Sequence, residues 1–230
     1  MTYQDQQKEL LDSIEARMND GSYGASLVKM RDDYDKDSGR ALGIIKFLSQ
    51  ETAEIVNEKI IEPLKKIDPD HYFYPPGSLH LTIKGIRVIN DPPSFTKEDI
   101  DKADELLAAV IPSLEPFAFL LEGVVKFPTS ASLVGYSSDQ LKKIVSTLDQ
   151  GLKDIGVPDN KKYLSDEVFF GNISICRFTH QLSEEFIQVL ESLREVKIGD
   201  VLIDDVSLVV CDAVCSKDST KVMNSYNFQK

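Results

Sequence analysis

The sequence has no tryptophan and only three cysteines, Cys176, Cys211 and Cys215, among its 230 residues. An odd and sparse set of cysteines in a chain of this length does not form a disulfide framework and is typical of a reducing compartment. Cys211 and Cys215 are four residues apart, but no second pair of ligands follows at the spacing of a zinc site. We therefore predict no disulfide, no metal and no other cofactor.

Long apolar runs are also missing. No stretch approaches the roughly 18 apolar residues that a membrane-spanning helix requires, and the start, MTYQDQQKEL, is polar and unlike a signal peptide. The composition, 42% hydrophobic and 28% charged, is that of a globular protein with a sizeable core. We expect a cytoplasmic monomer with no membrane partner.

Positively charged residues are fewer than negatively charged ones: 26 Lys and Arg against 38 Asp and Glu give a formal net charge of −12. A broad face for duplex nucleic acid needs an excess of cations, which this chain does not have. A pocket with a few cations can still hold one or two phosphates. The ligand class that remains is a nucleotide or a short RNA end.

The most informative segment is Ser78–Ile83, SLHLTI, whose alternation of apolar residues predicts a β-strand. Residues i and i+2 of a strand point to the same face. His80 and Thr82 therefore present an imidazole and a hydroxyl together to one small ligand.

A second copy of this pattern lies 92 residues further on (172 − 80), within Phe169–Arg177. Asn172 and Ser174 stand at the positions of His80 and Thr82. The geometry repeats, but an amide replaces the second imidazole.

Two H-x-[T/S]-x tetrads on two strands are the signature of the 2H phosphoesterases. This chain resembles that superfamily, most closely its 2'-5' RNA ligase and cyclic phosphodiesterase branch, and Asn172 is its departure from the pattern. The resemblance implies an α+β fold of two pseudo-symmetric lobes, whose antiparallel sheets face a central cleft with helices on the outside. It covers residues 41–230 and leaves residues 1–40 as an N-terminal helical extension and linker.

Periodicity and turn signals predict strands and helices whose order repeats in each half of the chain. The charged segment 31–39 is predicted to be a solvated loop. The predicted helices are 5–19, 50–67, 97–114, 138–155 and 183–196. The predicted strands are 41–48, 78–89, 117–127, 132–136, 168–178, 201–203, 206–214 and 223–228.

The resemblance implies catalysis in which two imidazoles act as general acid and base while the hydroxyls bind the non-bridging phosphate oxygens, without a metal. Mapped onto this chain, the catalytic set is His80, Thr82, Asn172 and Ser174. An asparagine amide donates a hydrogen bond to phosphate but does not transfer protons near pH 7. Binding is therefore expected to survive better than turnover.

Lys84 and Arg177 are the candidate cations for substrate binding. Lys84 shares the parity of His80 and Thr82, the alternative being a solvated strand end. Arg177 has a planar guanidinium suited to phosphate. Its parity is opposite to that of Ser174, so it reaches the cleft only where the strand is bulged or has ended.

Aromatic and histidine side chains supply further candidates. Tyr74, in the loop before the first tetrad, is predicted to stack an exposed ring on a base, or else to close the edge of the core. Tyr226 fits the last strand, which in related sequences carries a tyrosine close to the cleft. His71 and His180 have no patterned hydroxyl partner and are expected at the surface, although His180 is near enough to the cleft rim to replace the missing imidazole.

Two functions follow from these residues. The first is a phosphoesterase that uses His80 on a 2',3'-cyclic phosphate, a 2'-5' linkage or an RNA or nucleotide end. The second is a nucleotide- or RNA-end-binding module that lost turnover through Asn172. An asparagine introduced to trap substrate is a third interpretation, and the sequence leaves all three open.

Overall fold

The protein forms two antiparallel sheets with helices packed on them, which confirms the predicted α+β class. The computed structural model describes residues 1–229, except for the side chain of Asp35. No helix in that range is long and apolar enough to cross a membrane.

The helices are α1 (Tyr3–Asn19), α2 (Gln50–Val56), α3 (Glu62–Ile67), α4 (Lys97–Val110), α5 (Gln140–Asp154) and α6 (Glu184–Ser192). The strands are β1 (Arg40–Phe47), β2 (Tyr72–Phe73), β3 (His80–Asn90), β4 (Phe117–Phe127), β5 (Ser130–Ser137), β6 (Gly171–Arg177), β7 (Lys197–Ile203), β8 (Asp205–Cys211) and β9 (Lys221–Asn227).

Each sheet carries one of the two tetrads. The first sheet has the strand order β3-β1-β8-β9, with the first tetrad on its edge strand β3. The second has the order β2-β6-β5-β4-β7, with the second tetrad on β6. Both tetrad strands alternate between half-buried and buried residues, so one face of each strand packs against the core and the other faces a cleft.

The helix predicted over 183–196 and the strand predicted over 201–203 differ most from the structure. The helix α6 ends at Ser192, and a tight turn follows in which the amide of Val196 donates to the carbonyl of Leu193 at 3.1 Å. The strand β7 then begins at Lys197, because it pairs with β4 as far as Glu122. Pairing within the sheet, rather than local periodicity, sets this boundary.

The N-terminal helix α1 packs on the second sheet. Its Gln7 is fully buried, donates from Nε2 to the carbonyl of Phe169 at 2.6 Å and accepts from the amide of Ser137 at 3.0 Å. Leu11 and Ile14 add buried apolar area to the same face. These contacts fix residues of the predicted extension next to the strand that carries the second tetrad.

The segment 31–39, predicted to be a solvated loop, contains a buried tyrosine. Tyr34 is 2% exposed, lies in a short 3-10 turn and donates to the carbonyl of Phe178 at 3.3 Å. Its ring contacts Tyr72 at a centroid distance of 5.7 Å. Tyr34 therefore packs this segment against the core. The prediction of a solvated loop, which rested on the charge of the segment, is wrong at this residue.

The two tetrad strands meet at Gly171. A Cβ at this position would lie 2.7 Å from Cδ2 of Leu81 and 2.8 Å from the ring of Phe119, closer than real carbon contacts allow. Leu81 directly follows His80, and Gly171 directly precedes Asn172. The absence of a side chain at Gly171 thus lets β3 and β6 approach at the level of the two tetrads.

We predict that Gly171→Ala lowers the free energy of unfolding by about 1–3 kcal/mol, the usual cost of overpacking a close-packed core. Denaturant unfolding measures this change. The control is Gly77→Ala, because a Cβ at Gly77 meets nothing within 4 Å. Equal stability of the two variants would contradict the close approach of the strands.

Candidate active site in the cleft between the sheets

Both tetrad strands contain a bulge at the same place. In the pairing of β1 with β3, Ile44 faces Lys84 and Ile45 faces Thr82, which leaves Ile83 without a partner residue. In the pairing of β5 with β6, Ala131 faces Cys176 and Ser132 faces Ser174, which leaves Ile175 without one. Each extra residue directly follows the tetrad hydroxyl, and beyond it the alternation of faces is reversed.

The bulge in β6 turns Arg177 toward the cleft. The sequence-based prediction was that this residue reaches the cleft only if the strand is bulged or has ended. Arg177 lines the cleft together with Asn172 and Ser174, while Cys176 is buried on the opposite face. Its Nε donates to the hydroxyl of Tyr74 at 3.0 Å. The guanidinium is thereby held in place beside the second tetrad.

The matching bulge in β3 has the opposite consequence for Lys84, and its predicted place in the pocket is wrong. Lys84 is 4% exposed and lies outside the cleft, where its ammonium forms ion pairs with Asp149 at 3.1 Å and with Asp159. Gly85 takes the cleft-facing position instead. Parity counted from His80 failed because the bulge at Ile83 inserts one residue.

Tyr74 does not offer an exposed ring, so the predicted stacking on a base is wrong, and the alternative of core closure describes it better. It is 2% exposed, and its ring packs edge-on against Tyr72 at a centroid distance of 5.5 Å. Its hydroxyl still borders the cleft and accepts from Arg177. Tyr74 therefore positions a cation rather than binding a ligand by its ring.

The predicted place of Tyr226 near the ligand is also wrong. Tyr226 lies opposite Val206 in the pairing of β8 with β9, on the face that packs against α4. It is 6% exposed, and its hydroxyl donates to the carboxylate of Asp104. Opposing residues of antiparallel strands share a face, so Tyr226 follows the buried Val206 away from the cleft.

His80 is oriented by the backbone. Its Nδ1 lies 2.7 Å from the carbonyl oxygen of Ser78, and because a carbonyl only accepts, Nδ1 carries the proton. The edge of the ring of Phe47 lies against the imidazole, at a centroid distance of 6.2 Å. Nε2 is thus the nitrogen left for the other partners of the imidazole, which include the neighbouring thiol of Cys215.

Cys215 was missed as a cleft residue, and it adjoins His80. It follows β8 in a loop, is 3% exposed and has a φ of +51°, the left-handed region that non-glycine residues rarely adopt. Its thiol interacts with the imidazole of His80 and with Cys211, and Thr220 donates to its sulfur at 3.4 Å. The conformation of the loop after β8 brings this thiol next to the first tetrad, and no local sequence pattern predicts that contact.

The thiol and the imidazole alter each other's pKa. Burial by itself lowers the pKa of His80, but the hydrogen bond and charge of Cys215, with the carbonyl of Ser78, outweigh it and raise that pKa above its ordinary 6.5. Hydrogen bonds from Cys211 and His80 lower the pKa of Cys215 against the effect of burial. The pair therefore shifts His80 toward its protonated form.

A second cation, Lys161, reaches the cleft from the loop between α5 and β6. Gly85 follows His80 by five residues, as Arg177 follows Asn172, and a Cβ at Gly85 would lie 3.2 Å from Cδ of Lys161. Lys161 thus occupies the place that a side chain on β3 would fill. Its ammonium lies over the ring of Tyr163, 5.1 Å from the centroid, and burial and the neighbouring cations Lys84 and Arg177 lower its pKa.

The N-terminal segment closes one side of the cleft. The amide of Ser26 donates to the carbonyl of Lys162 at 3.2 Å, and the amide of Lys162 donates to Oγ of Ser26 at 3.0 Å. The cleft has a volume of about 360 Å³, within the roughly 300–1,000 Å³ of small-molecule sites. Its polar lining includes His80, Thr82, Asn172, Ser174, Arg177 and Lys161.

Comparison with known proteins supports the fold. No family model and no curated protein matches the sequence. Among solved structures, the protein TT0787 of Thermus thermophilus is 17% identical with a TM-score of 0.59, over 82% of this chain and 98% of its own. A phosphoesterase is 12% identical with a TM-score of 0.58, over 84% and 100%. Escherichia coli LigT complexed with ATP is 12% identical with a TM-score of 0.57, over 84% and 100%.

The chain therefore has the fold of the phosphoesterase and LigT structures, and the architecture implied by the 2H resemblance is confirmed. Other structures of E. coli LigT that match contain 3'-AMP or NADP+, with TM-scores of 0.55 and 0.56. At 11% identity each, these likenesses establish the fold. The chemistry has to be argued from the residues of this cleft.

We predict that Cys215→Ala lowers the pKa of His80, because burial then acts without the thiol that opposes it. NMR titration of the imidazole should give a pKa above 6.5 in the wild type and a lower value in the variant. Cys176→Ala is the control, since that thiol is buried on the opposite face of β6. An unchanged His80 titration in Cys215→Ala would contradict the coupling of the two groups.

Proposed function

We propose that this protein is a phosphoesterase of the 2H type, acting on a 2',3'-cyclic phosphate, a 2'-5' linkage or another RNA or nucleotide end. The observation that carries the proposal is the shared cleft, in which His80 and Thr82 of one strand and Asn172 and Ser174 of the other line the same cavity. A ligand phosphate between the two strands would meet hydroxyl, amide and imidazole groups from both sides. E. coli LigT, of the same fold, has been solved with ATP and with 3'-AMP.

Phosphate binding would divide between neutral donors and cations. The hydroxyls of Thr82 and Ser174 and the amide of Asn172 donate to the non-bridging oxygens, whose charge rises during transfer. Arg177, held by Tyr74, adds a fixed positive charge. Lys161 supplies the second cation from the other side of the cleft.

Proton transfer would rest on His80. Its raised pKa favours the protonated imidazole, which suits a general acid that protonates the leaving ribose oxygen through Nε2. Asn172 stands where a second imidazole would activate the attacking water. Loss of one acid/base partner costs roughly 10²- to 10⁴-fold in rate, so turnover is slow relative to a two-histidine enzyme.

The second candidate function is binding without turnover, and Asn172 favours it. All of the groups proposed to hold the phosphate remain, while one of the two groups that move protons is replaced. Such a protein would sequester or sense a nucleotide or a short RNA end. The net charge of −12 fits a ligand of this size better than a long nucleic acid.

We predict that the protein hydrolyses at least one member of a panel of 2',3'-cyclic nucleotides and 2'-5' oligomers. His80→Gln should lower kcat by roughly 10²- to 10⁴-fold, as loss of a general acid does. Steady-state kinetics with each substrate is the measurement, and calorimetric titration with 3'-AMP shows whether the variant still binds. The absence of any hydrolysis that depends on His80 would remove the enzyme from consideration and leave the binding module.

Asn172→His separates the two candidate functions. If the native chain is an impaired catalyst, restoring the second imidazole should raise kcat by two orders of magnitude or more, in line with the usual contribution of one acid/base group. Asn224→His is the control, because that asparagine is exposed on β9. Native turnover that the Asn172 variant leaves unchanged would instead mean that the asparagine is adapted to the reaction.

A further inference from the structure

Two histidines and an aspartate outside the cleft form a cluster at one end of the second sheet. Asp68 follows α3, His71 precedes β2, and His180 follows β6. Oδ2 of Asp68 lies 2.9 Å from Nε2 of His180 and 3.6 Å from Nε2 of His71. The two imidazoles stack at a centroid distance of 4.3 Å. One potential ligand atom from each residue lies within 4.8 Å of the others.

His71 is buried rather than at the surface, and its Nε2 has no hydrogen-bond partner among residues 1–229. The side chain is 0% exposed, so water does not take that place freely. The carboxylate of Asp68, at 3.6 Å, is too far for a hydrogen bond. Leaving a buried nitrogen unpaired is costly, and its occurrence calls for a physical cause.

The hydroxyl of Thr179 can orient both imidazoles for a metal. Its oxygen lies 3.2 Å from Nδ1 of His71 and 2.8 Å from Nδ1 of His180, and it donates to the carbonyl of Asp70 at 3.1 Å. With its proton given to that carbonyl, the oxygen accepts from both Nδ1 atoms. Both Nε2 atoms then present lone pairs toward Asp68.

The other tautomer of His71 leaves the same nitrogen unsatisfied. The amide of Thr179 approaches Nδ1 at 3.3 Å, and if Nδ1 accepts there, Nε2 carries a proton that reaches no acceptor. A cation at Nε2 resolves this, because Nδ1 then donates to the Thr179 hydroxyl. In that arrangement the amide of Thr179 no longer donates to Nδ1 of His71.

The carboxylate of Asp68 is also oriented by a hydrogen bond to its second polar atom. Its Oδ1 accepts from the amide of Asp70 at 3.1 Å, which leaves Oδ2 to face the two imidazoles. Ligands that are fixed through their second polar atom are characteristic of built metal sites.

We propose that Asp68, His71 and His180 bind a divalent transition-metal ion of the Zn²⁺ class. Zinc bonds to nitrogen and oxygen of about 2.0–2.2 Å in tetrahedral geometry separate neighbouring ligand atoms by about 3.3–3.5 Å. The observed 2.9 and 3.6 Å from Oδ2 of Asp68 to the two imidazole nitrogens lie on either side of that range, and the separation of the two imidazole ligand atoms is at most 4.8 Å. Three protein ligands leave the fourth position to water or to an anion.

Such an ion would join two segments that are 112 residues apart in the sequence (180 − 68). It ties the turn between α3 and β2 to the chain that leaves β6, three residues beyond Arg177 (180 − 177). The ion is therefore a clamp on the strand end that carries the cleft arginine. This departs from the sequence-based expectation of no metal, which rested on cysteine spacing and on the metal-free catalysis that the resemblance implies.

We predict that metal-stripped protein binds one Zn²⁺ per chain in calorimetric titration and is stabilised against thermal unfolding by the ion. His180→Ala should weaken binding by more than about 100-fold, beyond the 10- to 100-fold typical of losing an outer-shell partner. His180 is exposed, so the variant is expected to fold, and its far-UV circular dichroism checks this. Asp68→Asn, which keeps the shape and removes the charge, should weaken binding in the same direction.

Two controls test where the ion binds. Asp70→Asn removes a neighbouring exposed charge without removing a ligand side chain, and it should bind Zn²⁺ within a fewfold of the wild type. Cys215→Ala tests the thiols of the cleft as an alternative site. Binding of Co²⁺ should show visible d–d bands without a thiolate-to-metal band. The proposal is overturned if wild-type protein binds no Zn²⁺, or if binding survives His180→Ala and is lost in Cys215→Ala.

Discussion

The cleft depends on the contact between Leu81 and Gly171, because this contact fixes how closely the two tetrad strands approach each other. The ring of Phe119 covers the same spot, where a Cβ at Gly171 would meet it at 2.8 Å. Close-packed cores do not yield to an added methyl group without a shift of backbone or side chains. The core behind the strands therefore sets the width of the cleft in front of them, and with it the size of anion that both tetrads can contact.

Two bulges then decide which charged side chains enter that cleft. The strands are alike up to the tetrad hydroxyl, and each gains one residue directly after it, at Ile83 and Ile175. On β6 the reversed alternation delivers Arg177, whereas on β3 it delivers Gly85. The space above that glycine is taken by Lys161, from the loop between α5 and β6. Similar backbones thus carry positive charge in two different ways.

The chemistry of the two lobes has diverged further than their geometry. One side of the cleft holds an imidazole fixed by the Ser78 carbonyl and paired with the thiol of Cys215, and the other side holds the amide of Asn172. A thiol beside the imidazole favours its charged form, and an amide opposite it keeps a hydrogen-bond donor while giving up proton transfer. Under the proposed function, this combination keeps the groups that would hold a phosphate and leaves proton transfer to one imidazole.

The sequence by itself determined most of the helices and strands and the pairing of His80 with Thr82 on one face, because these follow from alternation over a few neighbouring residues. The two-lobed α+β fold was implied by the resemblance that the two tetrads carry. Tertiary structure decided which of Lys84 and Arg177 faces the cleft. A single extra residue in a strand moves every later side chain to the opposite face, and the composition of the strand does not predict where such a bulge occurs. Tertiary structure also decided that Tyr226 faces a helix and that distant histidines meet an aspartate. Contacts between segments a hundred residues apart depend on the packing of the whole chain, which local patterns do not encode.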